Sequence, residues 1–584
     1  MKKKFSLVLS DNLRSFKKDT NLLFIRPFNQ KKINNFSELV FFPKESKEIM
    51  LGKYDYCERI YKSILLDLKD ELNKIHSKNN YNSRFWEIII GTWLKEFIRV
   101  SYKNYFQLKY IKENYSIEEI YLLDHKKFNF IVDNTESFQW ATSDLSWLYS
   151  FLSKLLDFID FDCKKIISTP KKLFFFYKEK KNKFSIKDFL TFFFKISPLI
   201  NNVFKNKNHI LLTKTALPFN FEKLLEIKFF QLPTYYKKHD VKFKSINNSM
   251  RNSIILDTKI SSDPLENFIR KNLKNFLPIH IVESFSDIEK ISNNIHFPKN
   301  PKFIFTSYSH VYDEVFKTYA AQKVNDKTPY YIGQHGNNYF SIMSRNYFSE
   351  LSYSDKYLSW GFKNSENIKS MFNFKTLHKK TKFNDKGKLI IILDYINSSN
   401  MDLLDTEQKM EKHLKEFVLL INSLDAKIRK NTILRLNPTF YSNFFGKKYF
   451  EDFKDLNVAL DDGKKNFFKL VKNSRLCLFN YDSTGILENF LLNHPSIFFC
   501  ENTYQNNINY DFEKKYQLLI DNNIMFLNRL KILNHVNKNW DNIGEWWFSK
   551  KQQDTIKEFN SNYNLNSNKY NFKKLENFLK QSST

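Results

Sequence analysis

Between about residues 301 and 500, short apolar runs alternate with longer stretches in which apolar side chains recur at helical spacing. Residues 302–306 (KFIFT), 330–333 (YYIG) and 356–361 (KYLSWG) read as strands, with a helix over 311–324. The runs 389–393, 433–436, 458–460, 476–479 and 496–499 read as further strands, with helices over 406–425 and 485–492. Strands buried on both faces give continuous apolar runs, and parallel strands need helical crossovers. The alternation predicts an α/β protein with two doubly wound, Rossmann-like domains facing across a cleft.

The first 300 residues are more helical in pattern. Residues 22–25 and 117–123 read as strands. Residues 54–76 carry Ile60, Ile64, Leu68 and Leu72 at helical spacing, and 85–94 form a largely apolar helix that should be buried. Residues 171–207 hold two phenylalanine-rich stretches flanked by lysines, which suit either a helix pair on an anionic membrane or two core helices. The polar stretch 376–388 reads as a linker. The expected organisation is an acceptor-side domain with extra helices over 1–375, the linker, a nucleotide-binding domain over 389–545, and a helical tail over 546–584.

Length and composition sharpen this. The 584 residues exceed what one core supports. The formal charge is +30. Lysine, asparagine, isoleucine and phenylalanine abound while glycine is scarce, so compositional bias accounts for much of that charge. The remainder favours anionic partners such as nucleotide-sugars, lipid-linked acceptors or an acidic membrane face, and not nucleic acid. Cys57, Cys163, Cys477 and Cys500 form no CxxC pair, which suits free thiols in a reducing compartment. The apolar run near the N-terminus is short for a signal peptide, and no run reaches membrane-span length. A cytoplasmic protein is expected, with peripheral contact at the inner membrane left open. No metal or cofactor is expected, since neither zinc-ligand spacing nor a P-loop or G-x-G-x-x-G pattern occurs.

Four segments carry candidate chemistry. Gly333, Gln334, His335 and Gly336 follow a strand, where ligands bind in open α/β sheets. Only ten glycines occur in the chain, so two within one turn suggest close backbone approach to a ligand. Gln334 offers hydrogen bonds, and His335 can serve as a general base. Asp482, Ser483, Thr484 and Gly485 lie between a strand and a helix. Their hydroxyls and the free N–H groups of the helix start suit a phosphate, and Glu488 can accept from a ribose hydroxyl. Arg435 and Asn437 project from one strand end, and Arg435 can grip a phosphate or a neighbouring carboxylate. His310, Asp313 and Glu314 sit at a strand-to-helix junction, where the two carboxylates can also serve the helix N-terminus. No G-x-S-x-G elbow accompanies them.

These segments resemble the O-antigen biosynthesis transferases of bacterial surface-polysaccharide gene clusters. The likeness rests on 82–94 (NSRFWEIIIGTWL), 305–310 (FTSYSH), 332–336 (IGQHG), 354–361 (SDKYLSWG), 481–495 and Trp546-Trp547. Departures are Asn337-Asn338 after the second glycine, and Asn437 where CMP- or CDP-donor enzymes carry histidine. The resemblance implies a GT-B-like glycosyltransferase that uses a nucleotide-sugar donor, CMP-linked being one option, and a saccharide or lipid-linked saccharide acceptor. The alternatives are a CDP-glycerol-type glycerophosphotransferase of the same fold and a basic, non-enzymatic protein that binds membrane or nucleic acid. On the transferase reading His335 is the best base candidate with Asp313 or Glu314 behind it, and Arg84, within the 82–94 segment, joins the substrate-binding residues Gly333, Gln334, Gly336 and His310.

Overall fold

The computed structural model describes residues 3–9, 20–26, 37–43, 45–78, 80–126, 128–168, 209–294, 297–343, 349–394, 406–438, 440, 452–500 and 507–581. The phenylalanine- and lysine-rich stretch 171–207 lies outside them.

Three parallel sheets organise the described residues, not two. The first holds β1 (Lys4–Val8), β2 (Leu22–Phe24), β3 (Ser37–Leu39), β4 (Ser116–Leu123) and β5 (Lys164–Ser168), ordered β3-β2-β1-β4-β5. The sequence reading placed β2 and β4 here, as the runs 22–25 and 117–123, but not β1, β3 or β5. Its central strand, β1, is a five-residue stretch after a run of lysines. Two long helices follow the β2–β3 edge, α1 (Lys47–Ile75) and α2 (Ser83–Asn114). Both form as their apolar spacing dictates. Ser46 and Asn82 cap their N-termini, and Ile60, Ile64, Leu68 and Leu72 of α1 are buried. α2 is buried along much of its length, including Trp86 and Trp93, because it packs between α1 and the helix Glu314–Asn325 of the next unit.

The second sheet holds β6 (Leu211–Thr213), β7 (Ile304–Thr306), β8 (Tyr330–Gly333), β9 (Lys356–Ser359) and β10 (Ile368–Ser370). They lie in simple chain order, so this sheet has no reversal. The third sheet holds β11 (Lys388–Leu393), β12 (Thr432–Leu436), β13 (Ala459–Asp461), β14 (Ser474–Phe479), β15 (Ser496–Phe499) and β16 (Met525–Phe526). Its order, β13-β12-β11-β14-β15-β16, reverses between β11 and β14. That reversal is where doubly wound sheets open a crevice for ligands.

The helices after β16 do not end the story of the third sheet. The segment after Lys550–Asn560 returns to the second sheet, where Leu565 N donates to Trp360 O at 2.7 Å. The final helix, Lys569–Gln581, then packs there, with Phe578 5.4 Å from the Tyr331 ring. Cys57, Cys163, Cys477 and Cys500 are free thiols, and burial pushes Cys57 and Cys477 up to about 12. Among the described residues no helix is long and apolar enough to cross a membrane.

Candidate active site

The C-terminal end of β8 delivers the first turn. Gly333 is needed there because a Cβ would lie 2.5 Å from Ser307 Oγ and 2.8 Å from the Phe374 ring. Gln334 is consumed internally. Its amide donates to Gly336 O (2.8 Å) and its carbonyl accepts from Trp360 N (2.8 Å), which clasps the turn to the end of β9. That leaves Gln334 as a brace and not a ligand group. His335 stays half-buried at the tip. The Tyr339 hydroxyl lies 2.9 Å from its Nδ1 and 3.2 Å from its Nε2, and the Tyr308 hydroxyl donates to its carbonyl at 3.1 Å.

The C-terminal end of β14 delivers the second turn. Asn480 closes the reversal point by exchanging bonds with Asp394, donating to Asp394 O (3.0 Å) and accepting from Asp394 N (2.9 Å). The His413 ring nitrogen Nε2 supports it by bonding to Asn480 O at 2.6 Å. Ser483 then caps the helix Thr484–Leu491 by position only, since its side chain accepts no bond from the helix N–H groups. Its Oγ is buried near the Tyr481 hydroxyl without a hydrogen bond of good geometry.

The two turns meet. Asn337 N donates to Thr484 Oγ1 at 3.0 Å, and a Cβ on Gly336 would lie 3.2 Å from the same oxygen. The Asn337 side chain donates to Asp482 Oδ1 at 2.7 Å, and Asn338 donates to Asp482 O at 3.0 Å. Asn338 achieves this at φ +71°, a conformation asparagine tolerates where most residues do not. Tyr516 donates to the other Asp482 oxygen, and Tyr563 donates to Asn337 Oδ1. Asp482 is therefore a buried clasp and holds no free oxygen for a nucleotide.

Two charged groups flank the junction. On the β8 side, the His310 ring lies 6.2 Å from His335, and its Nε2 is 3.8 Å from Glu350 Oε1, with both residues buried. Burial pushes the Glu350 carboxyl up, and His310, a backbone N–H and Lys95 together more than offset this, leaving it below the usual range. On the β14 side, buried Glu488 lies 3.8 Å from Lys375 Nζ and 3.9 Å from Lys379 Nζ. Burial raises Glu488 in spite of the two lysines.

A family profile described as LIC12162 family transferase matches residues 5–579. The chain belongs to this family of transferases. No curated protein matches it. Among solved structures, it is similar to the wall teichoic acid polymerase TagF in a CDPG-soaked form, at 12% identity and a TM-score of 0.28 over 51% of this chain and 84% of that one. It is also similar to S. aureus MnaA with UDP, at 12% identity and a TM-score of 0.33 over 66% of this chain and 92% of that one.

Other residues expected in the transferase site have internal partners. Arg435 donates to Asp461 Oδ1 (2.8 Å) and Gly463 O (2.8 Å), so the carboxylate reading of its role prevails within the third sheet. Asn437 donates its backbone N–H to Leu393 O at 2.9 Å where β12 ends. Asp313 breaks the expected helix into Ser309–Tyr312 and Glu314–Asn325. It caps the latter through Phe316 N (3.1 Å) and accepts from Tyr236 (3.1 Å). Glu314 turns the other way, to Lys317 (2.6 Å), His280 (3.2 Å) and Thr135 N (3.2 Å). Burial raises it, and His280 and Lys317 bring it far below the usual range. Neither carboxylate backs His335. Arg84 binds Tyr353 O (2.9 Å) and Asp355 (2.8 Å) just before β9, at the N-terminal end of the strands and so opposite the end that carries the His335 turn.

Sequence reasoning missed Glu350, Lys375 and Lys379. Glu350 follows a segment with no strand or helix pattern, and both lysines lie at the edge of what read as a solvated linker. The turn Phe374–Thr376 carries Lys375 into place beside Tyr308, 5.7 Å from its ring.

Proposed function

We propose that this chain is a glycosyltransferase that moves a sugar from a nucleotide-activated donor to a surface-polysaccharide acceptor, O-antigen or capsule. The observation that carries the reading is the junction itself. A histidine turn ending one parallel sheet touches a helix start at the reversal point of another, through the Asn337 N to Thr484 Oγ1 bond.

The donor phosphate sits over the helix start at residues 483–485. There the free N–H groups of the first turn, the Ser483 hydroxyl and the positive end of the helix dipole stabilise negative charge. Gly485 keeps the first turn tight against the sheet, because a Cβ there would lie 2.9 Å from the Phe479 ring. The acceptor approaches from the β8 side. His335 takes the proton of the acceptor hydroxyl as its oxygen bonds to the anomeric carbon. The bond from that carbon to the donor phosphate breaks, and the nucleotide leaves with the electron pair. Charge developing on the leaving phosphate is what the helix start stabilises. The acceptor is a saccharide or a lipid-linked saccharide, the latter bringing the cytoplasmic chain to the inner membrane face.

A thermal-shift screen against CMP-, CDP-, UDP-, GDP- and dTDP-sugars tests this, with CDP-glycerol alongside. A rise in melting temperature with one sugar nucleotide supports the reading. A response to CDP-glycerol alone moves the assignment to glycerophosphate transfer. No response to any nucleotide, with salt-sensitive retention on DNA, makes the chain a basic binding protein.

A further inference from the structure

Lys375 and Lys379 lie between the second and third sheets on a segment fixed from both sides. Asn373 Nδ2 donates to Asn564 Oδ1 (3.0 Å), and Asn373 Oδ1 accepts from Lys375 N (3.1 Å). Thr381 Oγ1 donates to Leu492 O, the residue after the helix Thr484–Leu491, at 3.0 Å. His378, at φ +58°, stacks on Phe221 with ring centroids 4.7 Å apart. The lysines are thus presented by an anchored strap.

Their ammonium groups converge on Glu488 at 3.8 and 3.9 Å, distances that allow attraction but exceed hydrogen bonding. Lys379 also lies 3.6 Å above the Phe468 ring, and burial lowers its pKa, partly offset by Glu488. Neither ammonium makes a hydrogen bond to another described residue, so their donors are uncommitted. Glu488 sits one turn inside the helix whose N-cap residue, buried Ser483, gives no side-chain bond to the helix N–H groups. Two cations with uncommitted donors thus flank a helix whose first-turn N–H groups receive no side-chain cap, a combination that suits a multiply charged anion.

We propose that Lys375 and Lys379 bind the donor's phosphate groups, with Glu488 as the counter-ion that the phosphate displaces. This rests on the donor site proposed at residues 483–485. It makes the strap between the sheets a binding element, and it gives Glu488 an electrostatic role in place of a ribose contact.

Isothermal titration of the full chain with inorganic pyrophosphate and with nucleoside diphosphates tests it. Lys375→Met and Lys379→Met should each weaken both ligands about tenfold or more, and Lys375→Arg and Lys379→Arg should retain binding. Glu488→Gln should tighten pyrophosphate binding, since it removes the competing carboxylate. The arginine variants and an unliganded melting curve separate lost binding from lost folding. Met variants that bind as the wild type does, or a Glu488→Gln variant that binds pyrophosphate more weakly, overturn the assignment. If Ser483→Ala weakens nucleotide binding while the lysine variants do not, the donor site stands and the lysine assignment falls. If the wild-type chain binds neither pyrophosphate nor any nucleoside diphosphate, both fall.

Discussion

The side-chain amide of Asn337 donates to the Asp482 carboxylate at 2.7 Å, joining the turn after β8 to the turn after β14. Both groups are buried, and Tyr516 and Tyr563 complete the network. The relative position of histidine turn and helix start is thereby fixed by one buried polar cluster. Asn337→Ala removes a donor to a buried carboxylate and an acceptor for the Tyr563 hydroxyl. Urea denaturation should show a loss of about 1–3 kcal/mol. A wild-type midpoint would mean the network does not hold the two sheets together.

Gly333→Ala should cost about 1–3 kcal/mol by the same measurement, since Ser307, Phe305 and Phe374 would all have to shift. Gly336→Ala should cost much less, because only Thr484 Oγ1 stands near its Cβ position. Equal effects at the two glycines would contradict the close packing seen at the end of β8.

Arg435→Ala should destabilise the chain by about 1.5–3 kcal/mol, through loss of charge-assisted bonds to Asp461 and Gly463. Nucleotide affinity, measured by titration calorimetry on the folded variant, should stay at the wild-type value. A selective loss of affinity would restore Arg435 to phosphate binding.

Acidification should destabilise the chain between pH 6.5 and about 4. Burial lowers His76, His413, His494 and His535 from 6.5 to about 4, so in that window the unfolded chain binds protons that the folded chain does not. Stability from these four is present above 6.5 and falls as pH drops, by up to about 1.4 kcal/mol per unit for each. Glu226, raised to about 7 by burial, acts in the opposite sense between 4.5 and 7 and offsets one of them. Melting temperature followed against pH should decline below 6.5, and His413→Gln should flatten the decline. A melting temperature that rises on acidification would contradict the buried neutral histidines.

Much of the two later sheets was legible in the sequence. β7, β8, β9, β11, β12, β14 and β15 each coincide with an apolar run next to a helical pattern. The turn residues were legible too, because glycine is scarce enough here for Gly333 and Gly336 to stand out. The first sheet was legible only in part: β2 and β4 fall on the apolar runs at 22–25 and 117–123, whereas β1 hides behind lysines and β3, like β6 of the second sheet, has three residues, too few to show a period. Side-chain commitments were equally opaque, since they are set by partners far along the chain. Arg435 reaches Asp461, Glu314 reaches His280, and Asp482 reaches Asn337. Local pattern placed these residues near strand ends but could not say which would be consumed by their neighbours. Lys375 and Lys379 look like linker charges until the strap is seen to return to Glu488.

The central claim is that the turn at His335 and the helix start at Ser483 form one transfer site with divided labour. Steady-state transfer from the sugar nucleotide identified by the thermal screen, compared for His335→Ala and Ser483→Ala, tests it most directly. The account predicts that His335→Ala lowers kcat by about 10²-fold or more and leaves nucleotide affinity intact. It predicts that Ser483→Ala weakens nucleotide affinity. Unchanged transfer by His335→Ala, or nucleotide binding untouched by Ser483→Ala, would contradict it.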